Sequence, residues 1–293
     1  MGTQRLAGKV AIITGGGSGL GRACALMFSS EGASVVVADV LTRRSEATAK
    51  LVEQAGGIAV AMTVDVRMED DVASMVDQTL QRLGAVDIMF ANAGVSVAGN
   101  GRIPIWELTF EQFQAVCQTN LAGVFLCCKH AARVMKDRGG GVILCTSSAA
   151  SLVAYPGMAA YSATKARVNG LVRGLAFDLG PFGIRINAIC PTHGMSPNFL
   201  MDPEAEVVGC SYEEAAGSWD PAASPIPLRM MRPPSLLDNA KAALFLVCDE
   251  SAFMSGVCLP STDGGTLSRV AMHFDPSWRE HLLASVGADP QGA

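Results

Sequence analysis

Tyr161 and Lys165 stand four residues apart in a stretch, 159–180, that reads as a helix. Residues at i and i+4 share a helix face, so the phenol and the ammonium can meet. A free tyrosine has a pKa near ~10, and making it a base at neutral pH costs roughly 4 kcal/mol. One positive charge about 5 Å away supplies about 3 kcal/mol of that at an effective dielectric of about 20. The pair therefore suits reversible proton transfer at oxygen: a tyrosinate takes a proton from an alcohol, and a tyrosine gives one to a carbonyl. Ser148 lies thirteen residues before Tyr161, where the apolar run GVILCTS (141–147) ends. Its hydroxyl can hold the oxygen on which Tyr161 works. Ser147 is the competing choice.

A second constellation sits near the start. Thr14-Gly15-x-x-x-Gly19-x-Gly21 follows the strand-like run VAIIT (10–14) and opens a helical stretch, 19–31. Glycines there leave no side chain between a pyrophosphate and the backbone, and the helix N-terminus offers N–H groups and a positive dipole end. Asp39 ends the next apolar run, SVVVAD (34–39). A carboxylate at that point accepts hydrogen bonds from two ribose hydroxyls and repels a 2′-phosphate. Inside the turn stands the uncharged Ser18. Arg43 and Arg44 follow Asp39 and read as a solvated helix face.

The elements that position these residues alternate. VAIIT (10–14), SVVVAD (34–39), VAMTVD (60–65), DIMFANA (87–93), GVILCTS (141–147) and IRINAIC (184–190) are apolar almost throughout, as parallel strands covered on both faces should be. Helical candidates at 19–31, 43–55, 69–83, 110–137 and 159–180 fall between them. The expected fold is α/β, a Rossmann-type doubly wound parallel sheet in a single domain over 1–265, with CLPSTDGG (258–265) as the last strand and turn. The segment 192–226, rich in proline, methionine and small residues, breaks the rhythm. A tail, 266–293, follows, and Asp275-Pro276 opens a short helix in it.

The order of these motifs, with Asn92-Ala93-Gly94 and Asn120 between them, resembles the short-chain dehydrogenase/reductase family over roughly residues 6 to 265. The resemblance implies that Gly15, Ser18, Gly19, Leu20 and Gly21 cradle a nicotinamide dinucleotide. Asp39 in that setting implies NAD rather than NADP, Asp65 and Val66 an adenine contact, and Asn92, Ala93 and Gly94 the floor of the adenosine ribose. It makes Tyr161 the acid–base group, Lys165 its partner and ribose ligand, Ser148 the substrate-oxygen ligand and Asn120 the anchor of a water leading from the lysine. The thirteen-residue spacing favours Ser148 over Ser147. After the sixth strand the family's P-G-x-x-x-T becomes Pro191-Thr192-His193-Gly194-Met195-Ser196, so Pro191, Gly194 and Ser196 are expected beside the nicotinamide. Thr192 departs from the pattern, and His193 reads first as a loop residue and second as an extra acid–base group. The segment 192–226 falls where the family keeps a substrate lid. Met195 and Phe199 in it, with Tyr155 and Met158, are expected to line a pocket for a bulky, apolar alcohol or ketone.

Composition narrows the field. The net charge is −5 with no long basic run, which argues against nucleic acid or an anionic membrane as partner. No membrane span or secretory signal is expected, and nine scattered cysteines without a C-x-x-C fit a reducing, cytoplasmic setting with no metal site. Within enzymes the alternative is a 3-oxoacyl-carrier-protein reductase, against which Asp39 and the missing basic patch stand. A non-catalytic nucleotide-binding protein should have a broken Ser–Tyr–Lys set, and here the set is intact. Helices 110–137 and 159–180, with Phe125, Leu126, Leu171 and Leu175 on them, are expected to bury surface between subunits of a homotetramer, or failing that a dimer.

Overall fold

The computed structural model describes residues 4–97, 103–153, 157–192 and 235–261. Seven strands form one sheet: β1 (Val10–Thr14), β2 (Ser34–Asp39), β3 (Ile58–Thr63), β4 (Ile88–Ala91), β5 (Gly141–Thr146), β6 (Ile184–Ile189) and β7 (Cys258–Leu259). Their order is β3-β2-β1-β4-β5-β6-β7, and every neighbouring pair is parallel. The order reverses between β1 and β4, where such sheets open a crevice at the strand C-termini.

Period-two alternation divides the core. Ala11, Ile13, Val35 and Val37 face helices α1 (Gly19–Ser30), α2 (Thr42–Gln54) and α7 (Leu236–Val247). Ile12, Val36, Met89 and Ile143 face α3 (Glu69–Leu83), α5 (Val124–Met135) and α6 (Ala159–Leu179). Both faces are covered, which is why the central strands carry no polar stripe. The edge strands β3 and β7 are partly exposed, and β3 starts two residues earlier than its apolar run implied.

The stretch 110–137 is not the single helix its composition implied. α4 (Phe110–Cys117) passes through a π turn, Gln118–Gly123, before α5 begins. A π turn holds one extra residue and redirects the side chains around it. Asn120 lies on this turn and is fully buried. Gly123 ends it against the loop after β3, where a Cβ on Gly123 would stand 2.8 Å from a methyl of Val66.

A polar clamp ties the C-terminal ends of β1, β4 and β5 together. Thr14 Oγ1 accepts from the N–H groups of Asn92 (3.0 Å) and Ala93 (3.2 Å). Asn92 Nδ2 donates to the Thr14 carbonyl (3.0 Å), and Thr146 Oγ1 donates to Asn92 Oδ1 (2.9 Å). The clamp sits at the switch point and sets the floor of the site.

Candidate active site

The glycine turn between β1 and α1 is built for close approach. Gly15 and Gly19 hold φ of 62° and 49°, in the left-handed region that a Cβ disfavours. A Cβ on Gly21 would run into the Gly15 carbonyl, so helix and turn meet backbone to backbone. Ser18 caps α1 without a side-chain bond to the helix, no acidic residue follows in the first turn, and Leu20 is buried behind it. The helix thus presents an uncompensated positive end to an anion. Asp39 is buried at the end of β2, and its carboxylate accepts from the N–H groups of Gly17 and Leu41, each at 3.1 Å. Arg44 corrects the expectation of a solvated face. α2 starts at Thr42, which turns Arg44 inward, and its Cβ would lie 2.5 Å from a Cβ on Gly17. Arg43 is exposed, as expected.

On the other side of the crevice, Asp65 and Val66 follow β3. A two-pronged bond from Arg67 holds the Asp65 carboxyl below the usual carboxylate range. Asn92 and Ala93 belong to the clamp. Gly94 stands against the lysine, where a Cβ would be 3.3 Å from Lys165 Nζ and 3.4 Å from Asn120 Oδ1.

α6 brings Tyr161 and Lys165 to one face, as their spacing implied. Both are buried, and Lys165 Nζ lies 5.7 Å from the centre of the Tyr161 ring. The ammonium donates to the Thr146 carbonyl at 2.7 Å. Burial pushes Lys165 down to about 8, partly offset by the Cys145 and Cys190 thiols. The Asn120 amide is fully engaged: Oδ1 accepts from Val95 N–H (2.8 Å), and Nδ2 donates to the Val95 carbonyl (2.8 Å) and to Thr164 Oγ1 (3.3 Å). The side chain therefore fastens the β4 loop to α6, and any water it anchors must be held by its backbone. The two serines separate. Ser147 Oγ donates to the Lys165 carbonyl inside the core (3.1 Å). Ser148 Oγ accepts from Ala150 N–H (3.1 Å), which leaves its own proton available to donate.

Pro191 is buried after β6, and its carbonyl accepts from Ala149 N–H (3.0 Å), which seats it beside the Ser148 turn. Met158 precedes α6 and is half-buried. Tyr155, His193, Gly194, Met195, Ser196 and Phe199 lie outside the described residues, as do most of the expected lid and the tail. Among the described residues no group of three or more His, Cys, Asp or Glu could hold a metal ion. Sequence reasoning missed Thr146 and Thr164, and named Thr14 in the glycine motif without its clamp role. The available signal was a hydroxyl closing an otherwise apolar strand, at Thr14 and Thr146.

The buried ammonium has a measurable consequence. Lys165 keeps an ordinary value near 10.5 when unfolded and about 8 when folded, so between those pH values the unfolded chain binds more protons. Below pH 8 both states are charged and burial costs about 3 kcal/mol. Denaturant titration of the cofactor-free protein should find Lys165→Met more stable than wild type at pH 7. The difference should shrink as pH rises from 8 towards 10.5, whereas a constant or growing difference contradicts the reading.

The comparisons with known proteins agree with this geometry. The family model described as short chain dehydrogenase matches residues 9–200. Tropinone reductase-like 1 of Erythroxylum coca is 38% identical over 265 residues, covering 89% of this chain and 91% of that protein. The 2,5-dichloro-2,5-cyclohexadiene-1,4-diol dehydrogenase of Sphingobium indicum is 37% identical over 263 residues, covering 89% and 97%. Among solved structures, a 7α-hydroxysteroid dehydrogenase complexed with NADH and 7-oxo glycochenodeoxycholic acid superposes with a TM-score of 0.75 at 32% identity, covering 89% of this chain and 95% of that one. A sheet ordered 3-2-1-4-5-6-7, a glycine turn at its switch point and a tyrosine–lysine pair on α6 thus accompany a match over most of the chain, and the protein belongs to the short-chain dehydrogenase/reductase family of oxidoreductases.

Proposed function

We propose that this oxidoreductase interconverts a secondary alcohol and a ketone with NAD as its cofactor, and that the substrate is alicyclic and largely apolar. The observation that carries the chemistry is the buried Lys165 ammonium fixed beside the Tyr161 ring. When bound, NAD supplies the acceptor for the hydride leaving the alcohol carbon. Gly15, Ser18, Gly19, Leu20 and Gly21 hold the pyrophosphate with their backbone, which Gly15 and Gly21 leave uncovered by side chains. Asp39 takes the adenosine ribose, and Asp65 and Val66 flank the adenine. Lys165 takes the nicotinamide ribose with the protons it does not give to Thr146. Ser148 donates to the substrate oxygen, and Tyr161 removes the hydroxyl proton as the C–H bond breaks. In reduction Tyr161 returns that proton. Asn120 holds α6 to the β4 loop so that these groups keep their spacing.

The buried carboxylate of Asp39 favours NAD over NADP, since a 2′-phosphate would meet a second negative charge. The solved relative that holds NADH supports the same choice. The substrate class rests on the relatives' names, a cyclohexadienediol dehydrogenase and a hydroxysteroid dehydrogenase. It rests also on the apolar residues of the expected lid. A 3-oxoacyl-carrier-protein reductase has no support among the relatives named above. We read residues 1–265 as one catalytic domain, with 192–226 as its lid and 266–293 as a tail. The cysteines of the described residues are all free thiols, in keeping with a cytoplasmic location. Among those residues no helix is long and apolar enough to cross a membrane.

A homotetramer is the proposed assembly, though of the residues first expected only Phe125 is exposed. Leu126 is core, and Leu171 and Leu175 pack against the core. The outward face of α6 carries Ala163, Ala166, Gly170 and Gly174, small enough for a second helix to come close, between the exposed Arg167 and Arg173, with Phe177 87% exposed at its end. Phe125 on α5 is 47% exposed. Light scattering at micromolar concentration should give the mass of four chains, and a monomer contradicts this.

The activity is tested by following NADH absorbance with a panel of alicyclic secondary alcohols. At least one should be oxidised with NAD far better than with NADP, and Asp39→Ala should narrow that preference by about 10-fold or more, the loss of charge repulsion and of two hydrogen bonds acting together. No oxidation across the panel, or equal use of both cofactors by wild type, overturns the proposal.

A further inference from the structure

Thr146 closes β5 and touches both halves of the site. Its carbonyl accepts from Lys165 Nζ (2.7 Å), and its hydroxyl donates to Asn92 Oδ1 (2.9 Å). Asn92 in turn donates from Nδ2 to the carbonyls of Thr14 (3.0 Å) and Gly15 (3.5 Å), the first residues of the glycine turn. An unbroken path of hydrogen bonds therefore runs from the turn, through one asparagine and one threonine, to the buried lysine. Thr146 and Lys165 are each 1% exposed, so water does not compete for the bond between them, and Asn92 is half-buried.

Packing alone does not call for this hydroxyl. β5 reads GVILCT, and a valine of the same shape would suit a buried strand at least as well. The ammonium has three protons, one of which is spent on the Thr146 carbonyl. The direction of the other two follows from where that carbonyl points. The side chain of the same residue is tethered to Asn92, which restrains the strand end carrying the carbonyl.

We propose that Thr146 is a positioning residue: its hydroxyl, bonded to Asn92, fixes the carbonyl that aims the Lys165 ammonium, so that the lysine and the glycine turn are held at one separation matched to the two ends of a dinucleotide. This rests on the reading that the turn and Lys165 serve the same nicotinamide cofactor. Thr146 itself touches neither cofactor nor substrate in this scheme. Replacing its hydroxyl strips Asn92 Oδ1 of a proton donor and lets the turn and the lysine drift apart.

The test compares Thr146→Val, Thr146→Ser and Thr146→Cys with wild type in the full chain. NADH affinity is read by fluorescence titration, KM for NAD and kcat with an alcohol from the panel, and Tm by calorimetry. Thr146→Val should weaken NADH binding and raise KM for NAD by about 10-fold, the effect of one buried hydrogen bond. Thr146→Ser should stay within about twofold of wild type, since it keeps the hydroxyl. If Thr146→Val does not fold, Thr146→Cys, of similar volume but a weak donor, should show the same loss to a smaller degree. Thr146→Val, or Thr146→Cys in its place, with wild-type NADH affinity overturns the proposal. So does equal impairment of the serine variant, which would mark a packing role. Absence of NADH binding by the wild type overturns the functional reading as well, whereas normal wild-type binding with an unaffected valine variant overturns only this inference.

Discussion

One costly arrangement organises the molecule: an ammonium group kept in the interior, where burial disfavours its charge. Lys165 is held there by the Thr146 carbonyl, and burial pushes it down to about 8. That leaves it cationic at neutral pH in surroundings of low dielectric, where its field on a neighbour is strong. Tyr161, one helical turn earlier, is that neighbour. A solvated lysine at the same spacing would be screened and free to rotate away. In the proposed mechanism, the stability lost by burying the charge is the cost of an electrostatic arrangement made before substrate arrives.

The rest of the fold keeps that arrangement in place. The parallel sheet brings the ends of β1, β4 and β5 side by side, and polar residues lock them: Thr14 to the backbone of Asn92 and Ala93, Asn92 to Thr146. The π turn sends the Asn120 amide into the gap between the β4 loop and α6, where it binds Val95 on both sides and reaches Thr164. Each bond is modest, and the network is anchored at its buried members Thr14, Asn120, Thr146 and Lys165, where a stranded partner is costly. The glycine turn belongs to the same unit through the Thr14 and Gly15 carbonyls.

Much of this was legible in the residues themselves. Apolar runs without alternation mark strands covered on two faces, and β1, β2 and β4 are buried along nearly their whole length. Tyr161 and Lys165 share a face because a step of four residues slightly exceeds one helical turn. What the sequence concealed depends on partners distant in the chain. QTNLAG is ordinary helix composition, and nothing in it shows the π turn, which accompanies the packing of Gly123 on Val66 and the bond from Asn120 to Val95. Arg44 looks solvated until the bare Gly17 brings the turn against α2. Thr146 looks like the last residue of a strand, and its role follows from an acceptor 54 residues earlier. Leu171 and Leu175 read as surface in a helix apolar on several sides, yet they pack against the core and leave the outer face to small residues flanked by Arg167 and Arg173.

The central claim is that the Lys165 charge exists to make Tyr161 a proton-transfer group. The most direct measurement is kcat for alcohol oxidation by Tyr161→Phe at saturating NAD, with NADH affinity measured on the same preparation. The phenyl ring fills nearly the same volume, so only the ionisable oxygen is lost. The account predicts a fall in kcat of at least about 10³-fold, within the range that positioned acid–base groups contribute, with NADH affinity within about twofold of wild type. Turnover by Tyr161→Phe at the wild-type rate would contradict it.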